Sequence, residues 1–191
     1  MRSNDSNAKK EKIFAAAKEI IASQGLDGFT MAALGEITGL GMGTIYSYFP
    51  TKEDIIQGLY LDIQQRHTHE IFDDVNFEEP FMIVFKQMFY AYFLDRWNNY
   101  QDYLFIDQFR VSPYESEEAQ QLEDMAFRQV NALLDRGKRE LLVKFVDNKF
   151  LATYVIGGVK DIVREMKRYG LPLDDIAINR AFELSVSVIL R

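Results

Sequence analysis

Apolar residues recur along most of this chain at intervals of three and four, and strand-like alternation is almost absent. This spacing places the apolar side chains on one face of an α-helix, so the pattern predicts an all-α protein. Proline, glycine and capping residues separate about nine helical segments. Two segments are short and lie within residues 30–49, and the others span about 7–24, 52–72, 79–97, 100–110, 116–137, 148–168 and 174–191.

The first short helix is expected to begin after Thr30, whose hydroxyl is a suitable N-cap. Leu34 and Ile37, three residues apart, are predicted to point into the core. Gly39 follows the last helical position, where a residue in the left-handed conformation ends many helices. These signals together predict one short helix followed by a tight turn.

The second short helix is expected to begin at Gly41 or Met42 and to bury Ile45 and Phe49, four residues apart. Its other face carries small or hydroxyl-bearing side chains rather than charged ones. Hydroxyl groups near a helix start, with a lysine behind them, suit contacts to DNA phosphates. Two short helices around a turn predict a helix-turn-helix, whose outer residues are Met42, Thr44, Tyr46, Tyr48 and Lys52.

These residues resemble the signature of the TetR family of transcriptional regulators. That signature combines a threonine-capped helix, a glycine-hydrophobic turn, a Gly-Thr-hydrophobic-Tyr-x-Tyr-Phe segment and a Lys-Glu pair. The match covers roughly the first 60 residues. It consists of Thr30, Gly39-Leu40, Gly43-Thr44-Ile45-Tyr46-Ser47-Tyr48-Phe49 and Lys52-Glu53, with Ala17, Ile20, Ile21, Gly25 and Phe29 upstream.

The resemblance implies two domains. Residues 1–51 would form a three-helix DNA-binding domain, and residues 52–191 a helical domain for effector binding and dimerisation. The helix at about 52–72 would join them. The implied protein is a ligand-responsive repressor that binds a palindromic operator in double-stranded DNA as a homodimer and is released by a small apolar or aromatic effector.

By the same resemblance, two groups of residues contact DNA. Met42 and Tyr46 approach base edges, beside Gly43, while the phosphate contacts come from Thr30, Thr44, Tyr48 and Lys52. The family commonly has Ser or Thr at the cap of the reading helix, where this chain has Gly41.

The reading helix lacks Arg, Asn and Gln, so bidentate recognition of a base is not available there. Sequence preference is therefore expected from contacts to thymine methyl groups, from Tyr46 and from DNA shape. A basic arm at Arg2, Lys9 and Lys10 is expected to add contacts in the minor groove.

The segment 148–168 is apolar over more than one face, which is too much for a helix with a single buried side. Gly157 and Gly158 would let another helix approach closely. The family pairs its last two helices across a dimer, which implies an interface built from 148–168 and 174–191. Its candidate residues are Tyr154, Val155, Gly158, Ile162, Leu184 and Val188. The alternative is a helix at the centre of its own domain.

Half of the 26 aromatic residues lie between Phe72 and Phe109. Six of them recur every four residues from Phe77 to Trp97, and steps of four advance about 40° around a helix, so they cannot all face one neighbour. An aromatic-walled effector pocket and a large ligand-free aromatic core both fit this pattern. The candidate pocket residues are Phe85, Phe89, Phe93, Trp97, Tyr103 and Asp107.

Composition limits the other classes of function. The net charge of −7 argues against a protein coated in basic residues, although residues 1–20 carry five basic and three acidic side chains. Cysteine is absent, which excludes disulfides and zinc-thiolate sites within the chain. The N-terminus lacks the apolar run of a signal peptide, and no apolar run is long enough to span a bilayer, so a cytoplasmic protein without membrane contact is expected.

No cofactor, metal site or catalytic residue is predicted. His67 and His69 are two residues apart and do not share a helix face, and neither a glycine-rich phosphate loop nor a serine elbow appears. The protein is therefore not expected to be an enzyme. The main alternative to a regulator is a helical protein-interaction or structural module that does not read DNA, and the second is a helical enzyme that uses the aromatic cavity.

Overall fold

The computed structural model describes the backbone of residues 2–191 and the side chains from Asn7 onward. Nine helices form within this range, and the remaining ordered pairing there is one antiparallel bridge between Val143 and Leu190. The helices are α1 (Arg2–Gly28), α2 (Met31–Thr38), α3 (Met42–Tyr48), α4 (Lys52–Phe72), α5 (Phe81–Asn98), α6 (Tyr100–Phe109), α7 (Glu117–Arg139), α8 (Asn148–Arg168) and α9 (Asp175–Ile189). The predicted all-α fold is confirmed.

Local signals explain where these helices begin and end. Gly25 interrupts α1 with a φ of 74°, and Gly39 ends α2 in the left-handed conformation with a φ of 63°. At the start of α4, Asp54 Oδ2 accepts from the Thr51 backbone N–H at 2.9 Å, and Thr51 Oγ1 accepts from the Asp54 N–H at 3.1 Å. This reciprocal capping satisfies two of the amides that a helix start leaves open.

Contacts divide the chain into two compact units. The N-terminal unit contains the residues up to Gln65 together with Tyr100–Leu122, and the C-terminal unit contains Arg66–Asn99 and Glu123–Arg191. Helix α6 therefore belongs with α1 to α3 and the first part of α4. The division proposed between residues 51 and 52 concerns function and stays a prediction.

Helix α6 is held in the N-terminal unit by an ion pair and by stacked rings. Lys18 Nζ of α1 lies 2.6 Å from Asp102 Oδ1 of α6, and Asp102 is 1% exposed. The Tyr60 and Phe109 rings of α4 and α6 stack at 4.0 Å between centroids. In each contact the α6 partner, Asp102 or Phe109, lies far from the helix-turn-helix in sequence.

The C-terminal unit is built around α5, which packs against α8 and α9. Its buried face includes Phe81, Phe85, Phe89 and Phe93. The Phe182 ring of α9 lies 5.7 Å from Phe85 and 5.4 Å from Phe89. The four-residue aromatic repeat thus supplies the core of this unit. Across the described part of the chain, no helix has the length and apolar character needed to cross a membrane.

Two carboxyl groups meet between α4 and α5 in the C-terminal unit. The pKa of Glu70 is raised above its ordinary value of 4.5, chiefly by a side-chain hydrogen bond with Asp95 that requires a proton, and also by desolvation. Asn99 Nδ2 donates to Glu70 Oε2 at 3.0 Å. Asp95 is 4% exposed. A negative charge on Glu70 is therefore disfavoured in the folded protein.

Glu70→Gln is expected to remove part of the pH dependence of stability. Because the folded pKa is raised, the stabilisation from protonated Glu70 is complete below pH 4.5 and is lost as pH rises through the folded pKa. A glutamine amide can donate to Asp95 at every pH. Urea midpoints from pH 4.5 to about neutral should fall less in the variant.

Glu78→Gln provides the control for this prediction, because it makes the same charge change at an exposed residue before the opposite end of α5. It should leave the wild-type slope of midpoint against pH unchanged. An equal change of slope in both variants would contradict the assignment to the Glu70–Asp95 hydrogen bond.

Candidate nucleic-acid interface

The two short helices are held by a small apolar core in the N-terminal unit. Leu34 and Ile45 are fully buried, and Phe49 is 8% exposed. The Phe49 ring lies 5.2 Å from the Phe14 ring of α1. These contacts fix α2 and α3 against the long first helix, as the spacing of Ile45 and Phe49 predicts.

The prediction that Ile37 points inward is wrong. Ile37 is 46% exposed, whereas Thr38 is 2% exposed. The Thr38 hydroxyl donates to the Leu34 carbonyl at 2.7 Å, which satisfies the polar group inside the core. Thr38, four residues after Leu34, lies closer to the buried face of this short helix than Ile37, which is three residues after it. A threonine can occupy the buried position because its hydroxyl donates a hydrogen bond to a carbonyl of its own helix.

The outer face of α3 is open. Met42 is 38% exposed and Tyr46 47% exposed, while Thr44 and Tyr48 are half-buried. Gly41 is the N-cap and makes no side-chain cap hydrogen bond. The sulfur of Met42 lies close to Gly35 of α2, 3.1 Å from the place where a Cβ on that glycine would sit. Met42 therefore both packs on α2 and presents part of its surface outward.

Two of the residues proposed for phosphate contact, Thr30 and Lys52, make intramolecular hydrogen bonds of different kinds. Thr30 is exposed, and its Oγ1 accepts from the Ala33 N–H at 3.2 Å as the cap of α2. Lys52 is half-buried, and its Nζ donates to the Leu26 carbonyl at 3.2 Å. The same ammonium lies 5.8 Å from the Phe29 ring and 5.8 Å from the Tyr114 ring. No sequence signal links Tyr114 to Lys52, because the two residues lie far apart in the chain.

The N-terminal arm is only partly described. Lys10 Nζ lies 5.2 Å from the Phe14 ring. The Arg2 side chain lies outside the described residues, so its expected minor-groove contact has no geometry here.

Comparisons with known proteins agree with the geometry of α2 and α3. Residues 13–59 match the family model described as bacterial regulatory proteins, tetR family. A TetR-family protein from Vibrio parahaemolyticus is 28% identical, with 96% of this chain and 99% of that chain covered and a TM-score of 0.75. The match to the family model assigns residues 13–59 to the tetR family of bacterial regulatory proteins.

The similarity in fold extends well beyond the TetR helix-turn-helix. A TetR-family transcription regulator from Marinobacter aquaeolei is 17% identical, yet the alignment covers 100% of this chain and 99% of that one, with a TM-score of 0.89. Both units of the chain therefore have the TetR fold, including the last two helices.

The residues predicted to bind an effector divide between the two units of this TetR fold. Phe85, Phe89 and Phe93 are buried in the core of the C-terminal unit, and Trp97 is half-buried on the same helix with Lys167 Nζ 3.9 Å from its ring. The remaining two, Tyr103 and Asp107, lie on α6 in the N-terminal unit.

A shallow depression of about 490 Å³ lies on the C-terminal unit, and none of the six predicted effector residues lines it. Its walls are mostly apolar and come from α5 and α9. Its lining residues are Met82, Ile83, Lys86, Gln87, Tyr90 and Phe182. This depression does not test the six predicted effector residues, whose role remains a proposal.

The residues predicted for the dimer interface lie on α8 and α9, with Tyr154 66% exposed and Leu184 63% exposed. A Cβ placed on Gly157 or Gly158 would have nothing within 4 Å. The opposite face of α8 is buried through Leu151, Ala152, Val159, Val163 and Met166. Helix α8 therefore carries one apolar stripe in the core and a second one open to solvent.

Proposed function

We propose that this protein is a transcriptional repressor that binds a palindromic operator as a homodimer and is released by a small effector. The exposed outer face of α3 is the observation that carries the proposal. There Met42 and Tyr46 are accessible while Ile45 and Phe49 hold the helix from behind. An exposed short helix fixed in this way suits insertion into the major groove.

The open apolar stripe on α8 and α9 supports the homodimer. Phe150 is 73% exposed and lies one turn before Tyr154, and Leu184 and Val188 follow the same face of α9. Exposed apolar stripes of this kind mark interaction surfaces. One short helix gives little contact with DNA, whereas two related by a two-fold axis read half-sites about 34–36 Å apart or at a longer spacing matching the dimer.

The aromatic content of α5 supports an apolar or aromatic effector for this regulator. Trp97 is only half-buried, at the end of a helix whose phenylalanines are all buried. An effector that binds near this end could shift α4, because the last part of α4 belongs to the same unit. The first residue of α4 is Lys52, a candidate phosphate contact. DNA and effector would then favour different conformations, and each would weaken the other's binding by the same factor.

Binding of a fluorescent duplex from the upstream region of the protein's own gene, at several salt concentrations, tests the proposal. Sequence-selective binding that weakens with salt supports the regulator, because released counterions make affinity depend on phosphate contacts. Equal affinity for a scrambled duplex would instead favour a protein-interaction module. Adding candidate apolar ligands to the complex then tests release by an effector.

Met42→Ala is expected to weaken binding to the selected operator by about fivefold for each half-site. Loss of the exposed thioether removes roughly 1 kcal/mol of apolar contact with the bases, and that free energy is about a fivefold change in affinity. Fluorescence anisotropy with the operator and with single-base variants of it measures both the affinity and the preference.

Met125→Ala is the matched control for Met42, since Met125 is 57% exposed on α7. It should bind the operator as wild type does. If Met42→Ala changed neither the affinity for the operator nor the preference among its single-base variants, Met42 would not contact the bases.

A further inference from the structure

The ammonium group of Lys52 is surrounded by three other segments of the N-terminal unit. It donates to the carbonyl of Leu26 at the end of α1 and lies 5.8 Å from the ring of Phe29, just before α2. The third segment is the connection between α6 and α7, whose Tyr114 ring is also 5.8 Å away. Aromatic faces attract a cation, so this surrounding restricts where the lysine head can go.

Tyr114 is itself held against α4. Its backbone N–H donates to Ser112 Oγ at 3.2 Å, and its carbonyl accepts from Gln57 Nε2 at 3.4 Å. The connection follows Phe109, the last residue of α6, whose ring stacks on Tyr60 of α4. The backbone of Tyr114 is therefore held by one hydrogen bond within the connection and one to the helix that begins with Lys52, and the preceding Phe109 is stacked on that same helix.

We propose that Tyr114 is a positioning residue for the phosphate contact of Lys52. The inference rests on the proposed DNA-binding function. A free lysine loses rotamer freedom when a phosphate fixes it, whereas a lysine already held between two rings has lost that freedom on folding. Preorganisation of this kind strengthens binding without adding a contact.

The location of the held ammonium suits this role. Phe29 directly precedes Thr30, the exposed cap that is the neighbouring candidate for a phosphate contact. Lys52 keeps part of its side chain accessible, and one of its three N–H groups is used by Leu26. The connection between α6 and α7 thereby contributes to DNA affinity although it lies outside the helix-turn-helix.

A double-mutant cycle on the full chain tests the proposal, with operator binding measured by anisotropy over a salt series. Tyr114→Leu should weaken binding by about three- to tenfold, because the lysine regains its freedom. Lys52→Met should weaken binding and reduce the slope of log affinity against log salt by about 0.9 per protomer. In the Lys52→Met background, Tyr114→Leu should change affinity by less than about twofold, because the residue it positions is gone.

Two further variants separate positioning from other roles. Tyr114→Phe keeps the ring and should bind within about twofold of wild type. Tyr114→Gln also lacks a ring but is polar, so it replaces Tyr114→Leu if that variant folds poorly, and it should show the same loss.

Three results would overturn the proposal. Tyr114→Leu could weaken binding equally with and without Lys52, Tyr114→Phe could lose as much as Tyr114→Leu, or removal of the ring could raise affinity. The third result would mean that the rings withhold the lysine from DNA. Absence of selective binding by wild type would overturn the proposed function together with this inference, whereas selective binding with no coupling between the two residues overturns the inference alone.

Discussion

A Leu184→Glu variant is expected to be monomeric and to lose operator binding by at least about a hundredfold. Leu184 is 63% exposed in the single chain, so the substitution leaves the core of the C-terminal unit intact. In the proposed homodimer the same residue is covered by the partner. An unpaired buried charge costs several kcal/mol, and about 1.4 kcal/mol is already tenfold in affinity.

The loss of operator binding follows from the loss of the second reading helix. A monomer still presents its own α3 but can occupy only one half-site, so it forfeits the gain from linking two binding events. Light scattering across a range of protein concentrations measures the association state, and anisotropy measures operator affinity. The two readouts are independent, which matters because a dimer that failed to bind DNA would contradict a different part of the proposal.

Ile83→Glu is the control for Leu184→Glu. Ile83 is 45% exposed on α5, in the wall of the depression beside Phe182 and outside the proposed interface residues, and the change in charge and size is comparable. It should remain dimeric and bind the operator. A dimeric Leu184→Glu protein, or dissociation of both variants alike, would show that α9 does not form the interface through this residue.

The sequence predicted the helices well because each bears its own local signals. Asp147 caps α8 through the amides of Lys149 and Phe150, and the helix begins at the predicted residue. The buried positions of α4 also follow directly from the spacing of Ile55, Ile56, Leu59 and Ile63. Helical periodicity is a local property, so it can be read before any tertiary contact is known.

Contacts between distant segments had no such signal. The Lys18–Asp102 ion pair joins α6 to α1, and the sequence pattern alone gave no reason to group α6 with the N-terminal helices. Ile37 was misplaced for a related reason, because the choice between Ile37 and Thr38 depends on what α2 packs against. A side-chain hydrogen bond within the helix let the polar residue take the buried place.

The role of Gly137 also depends on contacts between distant segments that the sequence pattern does not predict. The sequence pattern suggests that this glycine ends α7, yet the helix continues to Arg139. A Cβ at Gly137 would lie 2.4 Å from Val143 Cγ2 and 2.6 Å from Phe81 Cε2. The glycine is therefore needed for close approach between α7, the start of α5 and the segment that pairs with Leu190, and not as a helix terminator.

Gly137→Ala is expected to lower the free energy of unfolding by about 3 kcal/mol, the upper part of the range for an overpacked core. Both neighbours are fully enclosed, with Val143 at 0% and Phe81 at 1% exposure, so neither can move aside into solvent. The better helix propensity of alanine returns only about 1 kcal/mol. Urea denaturation followed by circular dichroism, at two protein concentrations, measures the change.

Gly157→Ala is the matched substitution with the opposite expected sign. Gly157 also lies inside a helix, but a Cβ there would meet nothing within 4 Å, so stability should rise by up to about 1 kcal/mol. A loss that appears in Gly157→Ala only at the higher protein concentration would trace to the dimer contact and not to the helix. Equal stability of Gly137→Ala and wild type would mean that Phe81 and Val143 can shift to make room for the added methyl group. A loss of stability in Gly137→Ala together with a gain in Gly157→Ala would show that the space around each glycine decides the effect of the substitution.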